Sequence, residues 1–175
     1  MYLRYNKITI RNAVETDASQ LAAWWNDGRV MAHAGFPLGL GTTPEKIRKG
    51  LSTDTDETRR RLILELDETP IGEMCYRNLG NGSVDIGIKI CEPIYQERGI
   101  GRIALSVLIS CLFDIGYTKI VLDTNPKNTR ARHVYEMLGF RQLRVNLNSW
   151  TNQLGQPESS VDYELTAENF TNFAV

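Results

Sequence analysis

Gln96-Glu97-Arg98-Gly99-Ile100-Gly101-Arg102 separates a strand-patterned segment from an apolar helical one. Two glycines one residue apart permit a tight turn with several backbone N–H groups aimed inward, and the following helix adds the positive end of its dipole. Such a turn can cradle a phosphate or pyrophosphate on orphan helix donors, helped by Arg98 or Arg102. The plainer alternative is a glycine turn that only joins strand to helix. It is not a P-loop, because no Gly-Lys-Ser/Thr follows. Nor is it the dinucleotide fingerprint, because a third glycine is missing and the strands before it read as antiparallel.

Two carboxylates lie on neighbouring strand segments upstream. Glu73 sits among Ile71, Met74 and Cys75, where an inward carboxylate is a candidate for proton transfer. Asp85 starts the next strand and reads equally as an exposed strand carboxylate. Downstream, Asn128 precedes Ala131, Val134, Tyr135 and Leu138 at i, i+3, i+4 and i+7 and is an N-cap by type. Spacing alone makes Tyr135 a core residue. His33 and His133 have no Ser, Cys or Asp arrangement around them and are poor candidates for bases. Arg130 and Arg132 flank the helix start, as solvated charges or phosphate contacts. Cys75, Cys91 and Cys111 form no CxxC pair and are odd in number, which speaks against a zinc knuckle or a disulfide framework. No metal site is expected.

These residues need a scaffold. Ile8 and Ile10 alternate within Lys7–Arg11 as a strand. A helix follows, capped by Thr16 or Asp17, with Leu21, Trp24 and Trp25 on one face and Asn26-Asp27-Gly28 as its stop. Gly35–Gly41 reads as an irregular loop, and Thr43-Pro44 opens a second helix to about Leu51. Leu62–Leu66 and Ile71–Tyr76 flank the turn Asp67–Pro70. A turn at Asn78–Gly82 leads to Val84–Cys91, which completes an antiparallel meander. Gly101–Ile115 is an apolar helix packed on a sheet, Lys119–Thr124 a strand, and the Asn128 helix ends at Gly139. Phe140–Leu147 and Val161–Leu165 are two more strands around a Trp150–Pro157 excursion. The order βαα-βββ-αβα-ββ is an α+β plan in α/β/α layers, with a mixed, mostly antiparallel twisted sheet.

The 175 residues fit a single domain, 1–175, and 42% hydrophobic with 23% charged residues is an ordinary globular composition. Twenty basic against twenty-one acidic side chains leave a net charge of -1, which argues against nucleic acid or an anionic membrane as partner. No window approaches the ~20 apolar residues of a membrane span, and the expected compartment is the cytoplasm.

In combination, Gln96, Gly99 and Gly101 with Asn128, Tyr135 and Gly139-Phe140 resemble the GNAT N-acetyltransferase superfamily, whose motif reads Gln/Arg-x-x-Gly-x-Gly/Ala. Trp24-Trp25-Asn26-Asp27 is similar to the start of its ribosomal-protein-acetylating and aminoglycoside-acetylating branches. The resemblance implies a β-α-β-α acyl-CoA-binding core in which the parallel strands Val84–Cys91 and Lys119–Thr124 splay apart and admit the pantetheine arm. Main-chain groups of Ile88, Lys89 and Ile90 would hold that arm. Gln96, Arg98, Gly99, Ile100, Gly101 and Arg102 would hold the pyrophosphate of acetyl-CoA, with Asn125 and Asn128 as further contacts.

The implied activity is transfer of acetyl from acetyl-CoA, by direct attack, to a primary amine of a small molecule or peptide. An amine of pKa ~10.4 must lose a proton before attack, and a thiol of pKa ~8.5 leaves as a thiolate that gains from a proton donor. The resemblance puts the Tyr135 hydroxyl at the sulfur. It also puts Asp85, fourteen residues before Gly99, where some histone-acetylating relatives carry a catalytic glutamate, one methylene longer. Glu73 is the rival base. Trp25, His33 and Phe36 would wall the acceptor site, with Trp150 closing its other side. Two other readings stay open: a ribosomal-protein-type N-terminal acetyltransferase and a non-catalytic acyl-CoA-binding module. A homodimer is also open.

Overall fold

Eight strands form one sheet in the computed structural model, which describes residues 1–175. They are β1 (Tyr2–Tyr5), β2 (Ile8–Asn12), β3 (Arg59–Leu66), β4 (Thr69–Gly80), β5 (Ser83–Ile90), β6 (Lys119–Thr124), β7 (Arg141–Thr151) and β8 (Pro157–Thr166). Their spatial order is β1-β2-β3-β4-β5-β6-β8-β7, and only the β5–β6 pair is parallel. Five helices cover the sheet: α1 (Ala18–Asn26), α2 (Gly28–Met31), α3 (Pro44–Leu51), α4 (Ile100–Asp114) and α5 (Thr129–Met137).

The period of two along each strand separates the layers. Leu62 and Leu64 of β3 join the larger core with Ala104, Leu105 and Leu108 of α4, whereas Ile63 between them joins Leu21, Trp24 and Ile47 of α1 and α3. A single strand thus glues both helical layers to the sheet, as the α/β/α expectation requires. Thr43 caps α3 through its hydroxyl, with Pro44 at the first helical position.

Several local expectations need correction. An additional N-terminal strand, β1, pairs with β2 through a turn in which Asn6 takes φ 51°. Asp17 does not cap α1, because its carboxylate accepts instead from the Arg11 guanidinium at 2.7 and 2.9 Å and from the Val14 N–H at 2.8 Å. Gly28 does not merely stop a helix: it opens the short α2. The meander's first turn is only Asp67-Glu68, both at positive φ, while Pro70 lies inside β4 beside a register shift that accommodates it. The late strands extend further than their apolar cores, so Trp150 is part of β7 and pairs with Glu158.

The short pairing of β5 with β6 shapes the site. β5 and β6 pair only over Ser83–Asp85 and Lys119–Val121, although β5 runs on to Ile90 beside β4 and β6 runs on to Thr124 beside β8. The sheet therefore opens into a V, and the β6-facing main-chain groups beyond Asp85 have no strand partner.

Candidate active site

A cavity of about 1370 Å³ follows this opening from the start of α4 to α2 and the β7–β8 hairpin. Ordinary ligand pockets are roughly 300–1,000 Å³, so this one has room for a large ligand and a small one together. Its wall includes every site residue expected from the sequence except Asp85 and Arg98.

At one end, Gly99 is the N-cap residue of α4 with φ 77°, and nothing lies within 4 Å of where a Cβ would stand. The start of α4 therefore faces open space. Gln96 shapes the approach by donating from Nε2 to the Ile90 carbonyl at 2.9 Å. Glu97, itself at φ 59°, pairs with Arg130 at 2.7 Å across the loop. Arg98 is exposed outside the cavity wall, so the basic group at the cradle is Arg102. The Arg102 guanidinium lies 4.4 Å from the Phe173 ring centroid and donates from Nη1 to Met137 Sδ at 3.7 Å; its Nε is buried without a partner.

Asn128 does cap α5: its Oδ1 accepts from the Ala131 N–H at 3.3 Å. Asn125 is held by structural bonds, donating from Nδ2 to Glu158 at 3.0 Å and accepting from the Lys127 N–H at 3.0 Å. Both residues reach the cavity at the top of the V.

The middle of the cavity holds the ionisable groups. Glu73 is buried, but it is not the isolated carboxylate its apolar neighbours imply, because Lys89 directly opposite on β5 donates to Oε1 at 2.7 Å. Burial opposes the charge of Lys89, yet the Glu73 carboxylate outweighs it and holds the Lys89 pKa above its ordinary value. Asp85 bonds to Arg77 at 3.1 Å instead of facing the cavity. Burial raises its pKa, Arg77 offsets part of that, and the nearby Asp123 charge adds to it.

Asp123 is the residue that the sequence reading misses. It lies on β6 at the opening, lines the cavity and has neither a salt bridge nor a side-chain hydrogen bond of its own. Its side chain is exposed to the cavity, yet partial desolvation by the cavity walls and repulsion from Asp162 raise its pKa, with Arg77 countering in part. Its charge also reaches Tyr135, whose hydroxyl is pushed up to about 12 by burial, then by Asp123 and Tyr163. Tyr135 is part core, edge-on to Phe140 at 5.8 Å, and part cavity wall. Cys75, also on the wall, has its thiol pushed up to about 11 chiefly by burial, so it is no thiolate nucleophile near neutrality.

The far end is roofed. Trp25, His33, Phe36 and Trp150 line it together. Gly35, at φ 91°, lets the Trp150 ring lie against the backbone, where a Cβ would come within 2.3 Å of the ring. Gln153 then ties the hairpin to the loop three times. Its N–H donates to the Gly35 carbonyl at 2.8 Å, its Oε1 accepts from the Leu38 N–H at 3.0 Å, and its Nε2 donates to the Gly39 carbonyl at 2.9 Å. Beneath this clasp, the Trp25 Nε1 donor is buried without a partner.

Known proteins share this architecture. The crystal structure of spermidine N-acetyltransferase from Vibrio cholerae, in complex with CoA and spermine, superposes with a TM-score of 0.81 at 18% identity, covering 93% of this chain and 97% of that one. The ribosomal-protein-S5-alanine acetyltransferase from Vibrio fischeri gives 0.80 at 18% identity over 98% and 99% of the two chains. In sequence, the ribosomal protein bS18-alanine N-acetyltransferase of Salmonella typhimurium is 30% identical over 70 residues, 40% of this chain and 47%, about half, of that protein's length. The acetyltransferase (GNAT) domain profile matches residues 7–141, well over half of the chain, and with the splayed β5–β6 pair and the glycine cradle in place the chain belongs to the GNAT acetyltransferase family.

Proposed function

We propose that this protein transfers the acetyl group of acetyl-CoA to the primary amine of a small molecule. The observation that carries the reading is the continuity of one cavity from the open cradle at Gly99 and Gly101 to the unpaired Asp123 and the Tyr135 hydroxyl. The cradle fits a phosphate-bearing ligand on two counts: the space over Gly99 is empty, and the Arg102 guanidinium, on the cavity wall, has no carboxylate partner. The unpaired main chain of β5 beyond Asp85, including Ile88 and Lys89, suits an amide-containing arm, although the Ile90 carbonyl is already taken by Gln96.

Acetyl-CoA supplies the thioester and its thiolate leaving group. Asp123 holds the incoming ammonium by charge and accepts its proton, for which a raised carboxylate pKa is the useful direction. Attack by the neutral amine forms the C–N bond as the C–S bond breaks; Tyr135, protonated at neutral pH, delivers a proton to the departing sulfur, and the second proton shed by the nitrogen restores the phenol. Glu73, fixed by Lys89, and Glu97, paired with Arg130, are the other carboxylates on the wall, and Asp85, engaged with Arg77, orders the strand pair.

The clasp supports a small acceptor, because a bridged roof excludes a chain laid across the site. A protein N-terminus is the second reading, favoured by the ribosomal-protein acetyltransferases among the similar proteins. Incubation with labelled acetyl-CoA and a panel of diamines, amino sugars and short peptides tests both. Label on small amines only is expected. Label on peptides alone overturns the acceptor assignment, and CoA binding without transfer to any member leaves only a binding module.

A further inference from the structure

We propose that Phe173 is a positioning residue for cofactor binding, its ring holding the Arg102 guanidinium at the cradle so that the C-terminal segment sets the affinity for a phosphorylated ligand. The inference rests on the acetyl-CoA reading above.

Arg102 stands in the first turn of α4, one residue beyond the cradle glycines, and no carboxylate pairs with it. Of its five N–H donors, Nη1 meets only a thioether, a weak acceptor, and Nε is buried with nothing. A cation this poorly paired is costly unless an anion completes it. The Phe173 face, 4.4 Å from the Arg102 Cζ, is its main support, and a cation held over a ring spends no N–H donor on that contact, leaving its donors for an oxyanion. By contrast Arg130, the other cavity arginine near the cradle, is already neutralised by Glu97.

The ring is anchored independently of the arginine. The Phe173 N–H donates to Ser106 Oγ, fully buried on α4, at 3.0 Å. Asn172 donates to Ser110 Oγ at 3.2 Å, one turn further along the same helix, and the Thr171 N–H donates to the Leu138 carbonyl at 3.0 Å. The Tyr5 hydroxyl donates to the Val175 carbonyl at 2.9 Å. Asn172 and Phe173 thus run along α4 toward its N-terminus as a fixed strap, held on either side by Leu138 and Tyr5, with an aromatic face against the one cation that needs a partner.

Calorimetric titration with CoA tests the proposal. Phe173→Leu keeps apolar bulk and removes the π face; it should weaken CoA binding about tenfold, the scale of a desolvated cation–π contact. Phe173→Tyr should bind as wild type does. Adding Phe173→Leu to Arg102→Ala should weaken binding no further than Arg102→Ala alone, because the ring acts through the arginine. KM for S-acetylpantetheine, which lacks the nucleotide phosphates, should be unchanged in Phe173→Leu. Wild-type affinity in Phe173→Leu, additive losses in the double variant, or an equal loss toward S-acetylpantetheine each overturn it. Failure of CoA to bind the wild-type protein is a separate result and sinks the acetyl-CoA reading instead.

Discussion

Glu73 and Lys89 face each other across β4 and β5 with Oε1 and Nζ 2.7 Å apart, whereas Asp123, across the opening between β5 and β6, has no cation of its own. The pairing divides the labour between two carboxylates in one cavity. A carboxylate held by an ammonium is a poor place for an incoming ammonium, and a free one is a good place. Asp123→Asn should therefore lower kcat/KM for the amine by about 10²–10⁴-fold near neutral pH, with partial recovery at alkaline pH, where the amine deprotonates unaided. Glu73→Gln should cost less. Equal pH profiles for Asp123→Asn and wild type would transfer the role to Glu73.

The same carboxylate makes a stability prediction of opposite sign. The folded-state pKa of Asp123 is raised above its unfolded value, so between the two values the native state binds more protons than the unfolded one, and stability falls as pH rises through that window. Above the window the ionised group still carries the penalty. Asp123→Asn removes it and should raise Tm at pH 7, and the gain should vanish below the unfolded carboxylate pKa. Asp85, also raised, should behave alike but more weakly, since Asn would lose the Arg77 ion pair. Thermal unfolding at pH 3 and pH 7 reads both, and a lower Tm for Asp123→Asn at pH 7 contradicts the assignment.

What the sequence reveals and conceals follows from the range of each interaction. The cradle is legible because Gln96, Gly99 and Gly101 act on neighbouring backbone, and α5 is legible because Ala131, Val134, Tyr135 and Leu138 share one helical face. Asp17 is misread as a cap because its actual partner, Arg11, depends on how β2 meets the turn before α1. Asp85 and Asp123 are both strand carboxylates in the sequence. Only strand register decides that Arg77 stands opposite Asp85 while Asp123 has no cation opposite it. The clasp is invisible for the same reason, since Gln153 and Gly39 lie 114 residues apart.

That clasp should govern the acceptor and not the cofactor. Gln153→Ala removes the two side-chain hydrogen bonds between the hairpin and the Gly35–Gly39 loop, and Trp150→Ala removes the ring lying on Gly35. Each should raise KM for a small amine while leaving KM for acetyl-CoA nearly constant. Opening the roof should also let short peptides react that wild type rejects. A rise confined to acetyl-CoA KM would disconnect the clasp from the acceptor site.

At the other end, Gly99→Glu places a carboxylate in the open space over the start of α4, and any L side chain there meets a left-handed cost of roughly 1–2 kcal/mol. The variant should be mildly less stable and should lose the rise in Tm that CoA gives the wild-type protein by mass action. Gly99→Ala carries the backbone strain without the charge and should keep most of the CoA shift. An undiminished shift in Gly99→Glu would place the pyrophosphate elsewhere.

Tyr135 carries the sharpest test, because its ring and its hydroxyl belong to different arguments. The ring packs edge-on against Phe140 and at 5.9 Å from Tyr163 within the main core, contacts that phenylalanine preserves. The hydroxyl is not hydrogen-bonded within the protein, and with its pKa pushed up to about 12 it stays protonated across the working range, a donor waiting for an acceptor. Tyr135→Phe should therefore leave Tm and CoA affinity nearly unchanged and lower kcat roughly 10- to 1000-fold, overlapping the range of single acid–base contributions. A more acidic leaving thiol needs less help from a proton donor, so the loss should shrink with an activated thioester whose thiol has a lower pKa. A purely structural tyrosine would show no such dependence. Wild-type turnover by Tyr135→Phe, with saturating amine and chemistry rate-limiting, would remove Tyr135 from proton transfer and leave it to the core.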